Sequence, residues 1–175
     1  MPTSHHAGPV FLVCGGLIAL LLVAPDELLA QVMGDDQELA RLRNKAEDAI
    51  ASDDPDGAAM MMGRAALLSA QVARKRDAFS GVVYRRMESL FRAQEHTYRG
   101  MSLFRRAGGQ LPASSGVCGS LSLAVNSLRQ AAESLGYIPS PPPAPHLLQE
   151  IAHLKEAIEN WNRVTDSMIA EYQCP

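Results

Sequence analysis

From Leu147 to Tyr172 apolar residues return every three or four positions: Leu147, Ile151, Leu154, Ile158, Trp161, Thr165, Met168 and Tyr172. Alternating steps of four and three place one narrow seam on a helix, because 3.6 residues complete a turn. The opposite side carries Glu150, Lys155, Glu156, Glu159, Asn162, Arg163 and Asp166. The stretch 147–172 therefore predicts a helix of roughly 39 Å, at 1.5 Å per residue, laid by one edge against other helices.

The same periodicity predicts four helices upstream. The first lies near 36–51, with Asp35 and Asp36 favoured at its N-terminus and Leu39, Leu42, Ala46 and Ala49/Ile50 on one side. A second is expected over 55–76, capped by Asp54 and started by Pro55, whose missing N–H costs nothing at that position. Its alanines, with Met60 to Met62, Leu67, Leu68 and Val72, make it apolar around most of its circumference and predict burial between neighbours. The third, over 79–107, shows a stripe of Val83, Met87, Leu90/Phe91, Gln94, Tyr98, Met101 and Phe104 and stops at Gly108-Gly109. The fourth, over 115–135, carries Leu121, Val125, Leu128 and Leu135. A proline-rich stretch, 139–145, cannot be helix and links the fourth helix to the last. Alternating runs of β-branched and aromatic residues are absent, so the chain reads as an all-α bundle of about five helices.

Residues 1–30 read differently. Pro9 to Ala24 is an uncharged apolar block, short for a membrane span but suited to the hydrophobic part of a secretory leader. Leu28-Leu29-Ala30 offers a cleavage site, which leaves 31–175 as a single helical domain. The leader lacks Lys and Arg before the apolar block, and an uncleaved anchor of the same topology is the alternative. Cys14 lies inside that block after Val13, where a lipidation site would need a small residue. Export to the periplasm or beyond the cell would leave Cys118 and Cys174 as a pair in an oxidising compartment. Antiparallel fourth and fifth helices bring the start of one to the end of the other, where these cysteines sit, so a disulfide is expected.

Charge is distributed unevenly. From Arg74 to Arg106 there are nine Lys or Arg and three Asp or Glu, whereas Asp35 to Asp56 holds eight acidic and three basic residues. Arg85, Arg92, Arg99 and Arg106 recur every seven residues and form one stripe, with Glu88 and Glu95 placed for pairing four residues ahead of Arg92 and Arg99. The stripe is either a solvated face that attracts the acidic helices of its own fold, or a docking face for an acidic partner. As a docking face it should tolerate charge reversal at Arg92 and Arg99 with the fold intact. A net charge of −3 argues against a dedicated nucleic-acid binder.

Motifs for chemistry are sparse. Glu150 and His153 have the spacing that paired-metal helical bundles use, but no second copy exists and both fall off the seam. Met60, Met61, Met62, Met87, Met101 and Met168 suit a flexible core better than soft-metal or haem ligation. No nucleophile elbow, phosphate loop or zinc-protease motif occurs. The expectation is a non-catalytic, exported interaction module without cofactor. It would serve as a small accessory subunit of a periplasmic or membrane-associated complex, touching a membrane only through its partner. Arg85, Arg92, Arg99, Arg106 and Trp161 are the candidate contact residues, and self-association through the alanine-rich second helix is the alternative. A helical carrier or sensor of a metal, haem or apolar ligand is the second expectation.

Overall fold

The computed structural model describes residues 25–76, 78–133 and 145–175, with side chains over 34–76, 80–133 and 148–175. Five helices account for nearly all of it: α1 (Pro25–Ala51), α2 (Pro55–Lys75), α3 (Ala78–Arg106), α4 (Ser115–Glu133) and α5 (Pro145–Glu171). There is no strand among the described residues. The apolar leader block, Cys14 and residues 139–144 of the predicted linker lie outside them; its last residue, Pro145, instead opens α5, where a missing N–H costs nothing.

Four of the helices begin and end within two residues of the predicted positions. α1 is longer than expected and begins at Pro25 rather than near residue 36, so the stretch read as a cleavage site is helical. Nothing between the two positions stops a helix except Gly34, because Glu27, Leu28, Leu29, Ala30, Gln31 and Met33 are all good helix formers. The turn from α1 to α2 is tight. Asp53 takes a left-handed conformation (φ 63°), Asp54 caps α2 by accepting from Gly57 N–H at 2.8 Å, and Pro55 opens the helix.

α2, α3 and α4 lie side by side as consecutive antiparallel neighbours, and α1 and α5 cover one face of that layer. α2 meets α3 very closely at one point. A Cβ on Gly81 would stand 2.8 Å from the Ala73 carbonyl oxygen, so only glycine allows the approach. α1 buries Leu39, Leu42 and Ala46 against Ala58, Met62, Ala65 and Ala66 of α2 and Phe91 of α3. α5 buries Leu154 and Ile158 among Val83, Leu90 and Ala93 of α3 and Leu128 and Ala131 of α4. Further along, Met168 and Tyr172 join Val117 and Leu121, and the Tyr172 ring stacks on Phe104 at 4.0 Å. Between these clusters Thr165 and Thr97 face each other at 3.4 Å; Thr97 donates to the Ala93 carbonyl, so Thr165 is the donor of the pair.

The expected disulfide is present. Cys118 and Cys174 are bonded with Cα atoms 5.4 Å apart, and Ala113 N–H donates to the Tyr172 carbonyl at 2.9 Å beside them. The seam of α5 is buried at Leu154, Ile158, Thr165, Met168 and Tyr172. Trp161 is only half-buried.

Candidate functional site

Trp161 is incompletely covered because α1 and α5 do not close over α3. Between them runs a cleft of about 360 Å³. Its floor is the stripe of α3 formed by Met87, Leu90, Phe91, Gln94 and Tyr98, with Met62 of α2 beneath. Residues spaced three and four apart share a helical face, which is why one stretch of α3 supplies the whole floor. One wall is α1, through Arg43, Ala46 and Glu47; the other is α5, through Glu150, His153, Leu154, Ala157 and Trp161.

Aromatic contacts order the cleft. The Tyr98 and Trp161 rings meet edge to face, with centroids 5.5 Å apart and planes at 88°, an arrangement that brings a positive ring edge onto a negative face. Burial, and after it the carboxylate of Glu47, hold the Tyr98 phenol up to about 12. Gln94 interrupts the apolar floor. Its Oε1 is buried and accepts no hydrogen bond among the described residues.

Glu150 and His153 stand exposed on the lip, in agreement with their place off the seam. No group of three or more His, Cys, Asp or Glu suited to a metal occurs among the described residues.

The arginine stripe lies on another face of α3. Arg92 and Arg99 both pair with Glu95, at 2.9 Å and 2.8 Å. Arg92 thus turns forward to Glu95 rather than back to Glu88, because Glu95 is the more deeply set carboxylate, with its side chain 10% exposed. It packs against α2 at Gly63, where a Cβ would stand 3.1 Å from Glu95 Cδ. Arg106 reaches Asp56 at 3.5 Å between exposed side chains. Arg105, one residue away, binds the Asp53 carbonyl at 3.1 Å and so ties α3 to the α1–α2 turn. Arg85 is exposed and forms no ion pair among the described residues. His96 sits beside Arg92 and Arg99, and burial is the first cause that lowers its pKa.

Two features were not read from the sequence. Arg86, one residue from the stripe, is among the most fully buried side chains, at 2% exposure. It occupies the register of Val83, Leu90, Ala93 and Thr97, a 3-4-3-4 spacing that marks a core position whatever the residue type. The cleft was also unread. Gln94 within an apolar stripe was its one local signal. Comparison with protein-family models, with curated proteins and with solved structures finds no match for this chain.

Proposed function

We propose that this protein is a non-catalytic interaction module, an exported accessory subunit that recognises an acidic surface of a larger protein through the outer face of α2 and α3. The observation that carries this reading is the incomplete neutralisation of the arginine stripe. Glu95 is shared by two guanidinium groups, Arg85 has no ion partner among the described residues, and the Arg106–Asp56 contact is long and exposed. Two cations on one carboxylate leave a net positive charge, and screened surface charges of this kind steer and select partners more than they stabilise a fold. On the neighbouring face of α2, Met60 and Leu67 are exposed and give such a contact apolar area. Export and a periplasmic or secreted location belong to the same proposal and rest on the apolar block of the first thirty residues.

The reading is tested by affinity capture of the full-length chain from its native envelope fraction, compared with an Arg85→Glu/Arg106→Glu variant. Arg92 and Arg99 are unsuitable for reversal, because carboxylates there would face the deeply set Glu95 and disturb α2–α3 packing. A stoichiometric larger partner, retained at low salt and lost in the variant, is expected. A chain recovered alone, or a partner held equally by the variant, sinks the proposal. The carrier reading draws on a different feature, the cleft between α1 and α5.

A further inference from the structure

The cleft and the arginine stripe lie on different faces of α3, so a site in one does not depend on the other. At about 360 Å³ the cleft falls at the lower end of the range found for small-molecule sites, about 300–1,000 Å³.

Chemistry then narrows the occupant. The interior is apolar and aromatic, with Phe91, Tyr98 and Trp161 around flexible Met62 and Met87. Thioethers in such a site adapt to ligand shape. Two carboxylates against one guanidinium make the lining net acidic, with His153, the Tyr98 hydroxyl and the Trp161 N–H as further polar groups. Gln94 Oε1 lies unused at the floor, and carboxylates stand on both walls, Glu47 from α1 and Glu150 from α5. Neither carboxylate forms an ion pair among the described residues, and Arg43 is the single guanidinium against the two of them. Aromatic faces attract cations as well, with about 0.5–2 kcal/mol per contact as the general range. An anionic ligand would meet two carboxylates; a neutral apolar one would leave the acceptors unused.

We propose that the α1–α5 cleft is a binding site for a small organic cation, an ammonium group carried on an apolar, aromatic body that lies along Trp161 and Tyr98 while the charge sits between Glu47 and Glu150. The chain's one tryptophan is in the wall of the site, so its emission reports occupancy directly.

The experiment titrates the full-length chain at neutral pH with three matched probes, phenylbutylammonium, phenylbutanol and phenylbutyrate, following tryptophan emission and calorimetry together. The ammonium probe should saturate the emission change and bind about tenfold more tightly than the alcohol, with the carboxylate weakest. Glu150→Gln, an exposed change that leaves packing untouched, should bring the ammonium to within about threefold of the alcohol. Ala157→Phe should fill the cleft and remove binding of all three. Circular dichroism checks the fold of each variant, and Ala157→Leu serves if the phenylalanine is not accommodated. Absence of saturable ammonium binding overturns the proposal, as does an affinity no better than the alcohol's. Binding seen by calorimetry with no change in tryptophan emission places the ligand elsewhere and overturns it equally.

Discussion

Helices α1 and α5 stand on the same floor, yet they are fastened by different means. α1 is tied on both sides of its stretch along the cleft: at its C-terminal end the capped turn joins it to α2, and near its middle the Tyr84 hydroxyl donates to Asp36 while Arg76 lies over the Tyr84 ring at 5.4 Å. α5 is pinned at one end, by the bond to Cys118 and the Phe104–Tyr172 stack, whereas Leu148, Gln149 and Glu150 at its other end are exposed. One wall of the cleft is thus fixed, and the other is an arm held at its far end. The packing beneath each wall is comparable, a short row of large apolar residues on alanines. What separates the walls is covalent and polar tethering, which acts on where a helix can move more than on how much apolar area it buries.

The strongest way to break this asymmetry is to cut the pin. Cys118→Ser opens a loop whose cysteines are 56 residues apart, which in the chain-entropy picture costs about 4 kcal/mol of stability. Hydrogen exchange should then rise throughout α5 and at the start of α4, and stay near its original level in α1 and α2. Loss of protection spread evenly over all five helices would mean that the walls are not separate. A matched pair of core truncations comes next. Leu42→Ala beneath α1 and Ile158→Ala beneath α5 should each cost about 3 kcal/mol in denaturant unfolding, since both side chains are almost completely buried. With Cys118→Ser as background the Ile158 penalty should shrink, because the arm is already loosened, while that of Leu42 should persist. Equal penalties in both backgrounds would contradict a pinned arm.

The smallest effect is read from two phenols, one near each wall. Tyr84, beside Asp36 of α1, and Tyr98, against Trp161 of α5, are both held up to about 12, chiefly by burial. The unfolded chain ionises first, near pH 10, so stability present below about pH 10 is lost as pH rises toward the folded values. Cutting the disulfide should uncover Tyr98 and move its ionisation down toward pH 10, with Tyr84 unchanged. Ultraviolet difference titration of Tyr84→Phe and Tyr98→Phe in both backgrounds separates the two. A downward shift of Tyr84 instead would assign the looser wall to α1.

The seam of α5 was legible because its pattern is regular and one edge of the helix carries all its contacts. Leu154, Ile158, Thr165, Met168 and Tyr172 are buried as the spacing predicts, whereas Ile151 and Trp161 are half-buried, Trp161 because a cleft, not a helix, stands opposite. The disulfide followed from topology in the same way. α3 was read less completely. Its apolar stripe is one of several buried faces, since α2, α4 and α5 all pack on it. The remaining contact faces include Gly81, Ala93, Thr97, Gly100 and Ser102, small residues that announce no hydrophobic period yet let backbones come close, and Arg86, a long charged side chain buried at a core register. For the same reason α2, apolar nearly all round, leaves Met60 and Leu67 in solvent: two neighbours cover only part of a helix. The cleft was illegible because it is a property of the distance between α1 and α5, which no local pattern encodes.

The order of helices along the chain has a kinetic consequence. In the main packings each helix meets the next one in sequence, α1 with α2, α2 with α3, α3 with α4 and α4 with α5; α5 on α3, and more lightly α1 on α3 through Phe91 and the Tyr84–Asp36 bond, join elements that are not consecutive. Contacts between near neighbours close small loops, and chains dominated by them cross their folding barrier quickly. Assembly can therefore proceed as a succession of hairpins, with the docking of α5 onto α3 as the step that needs the longest search. The arm that walls the cleft would then be the last to arrive and, once reduced, the first to leave.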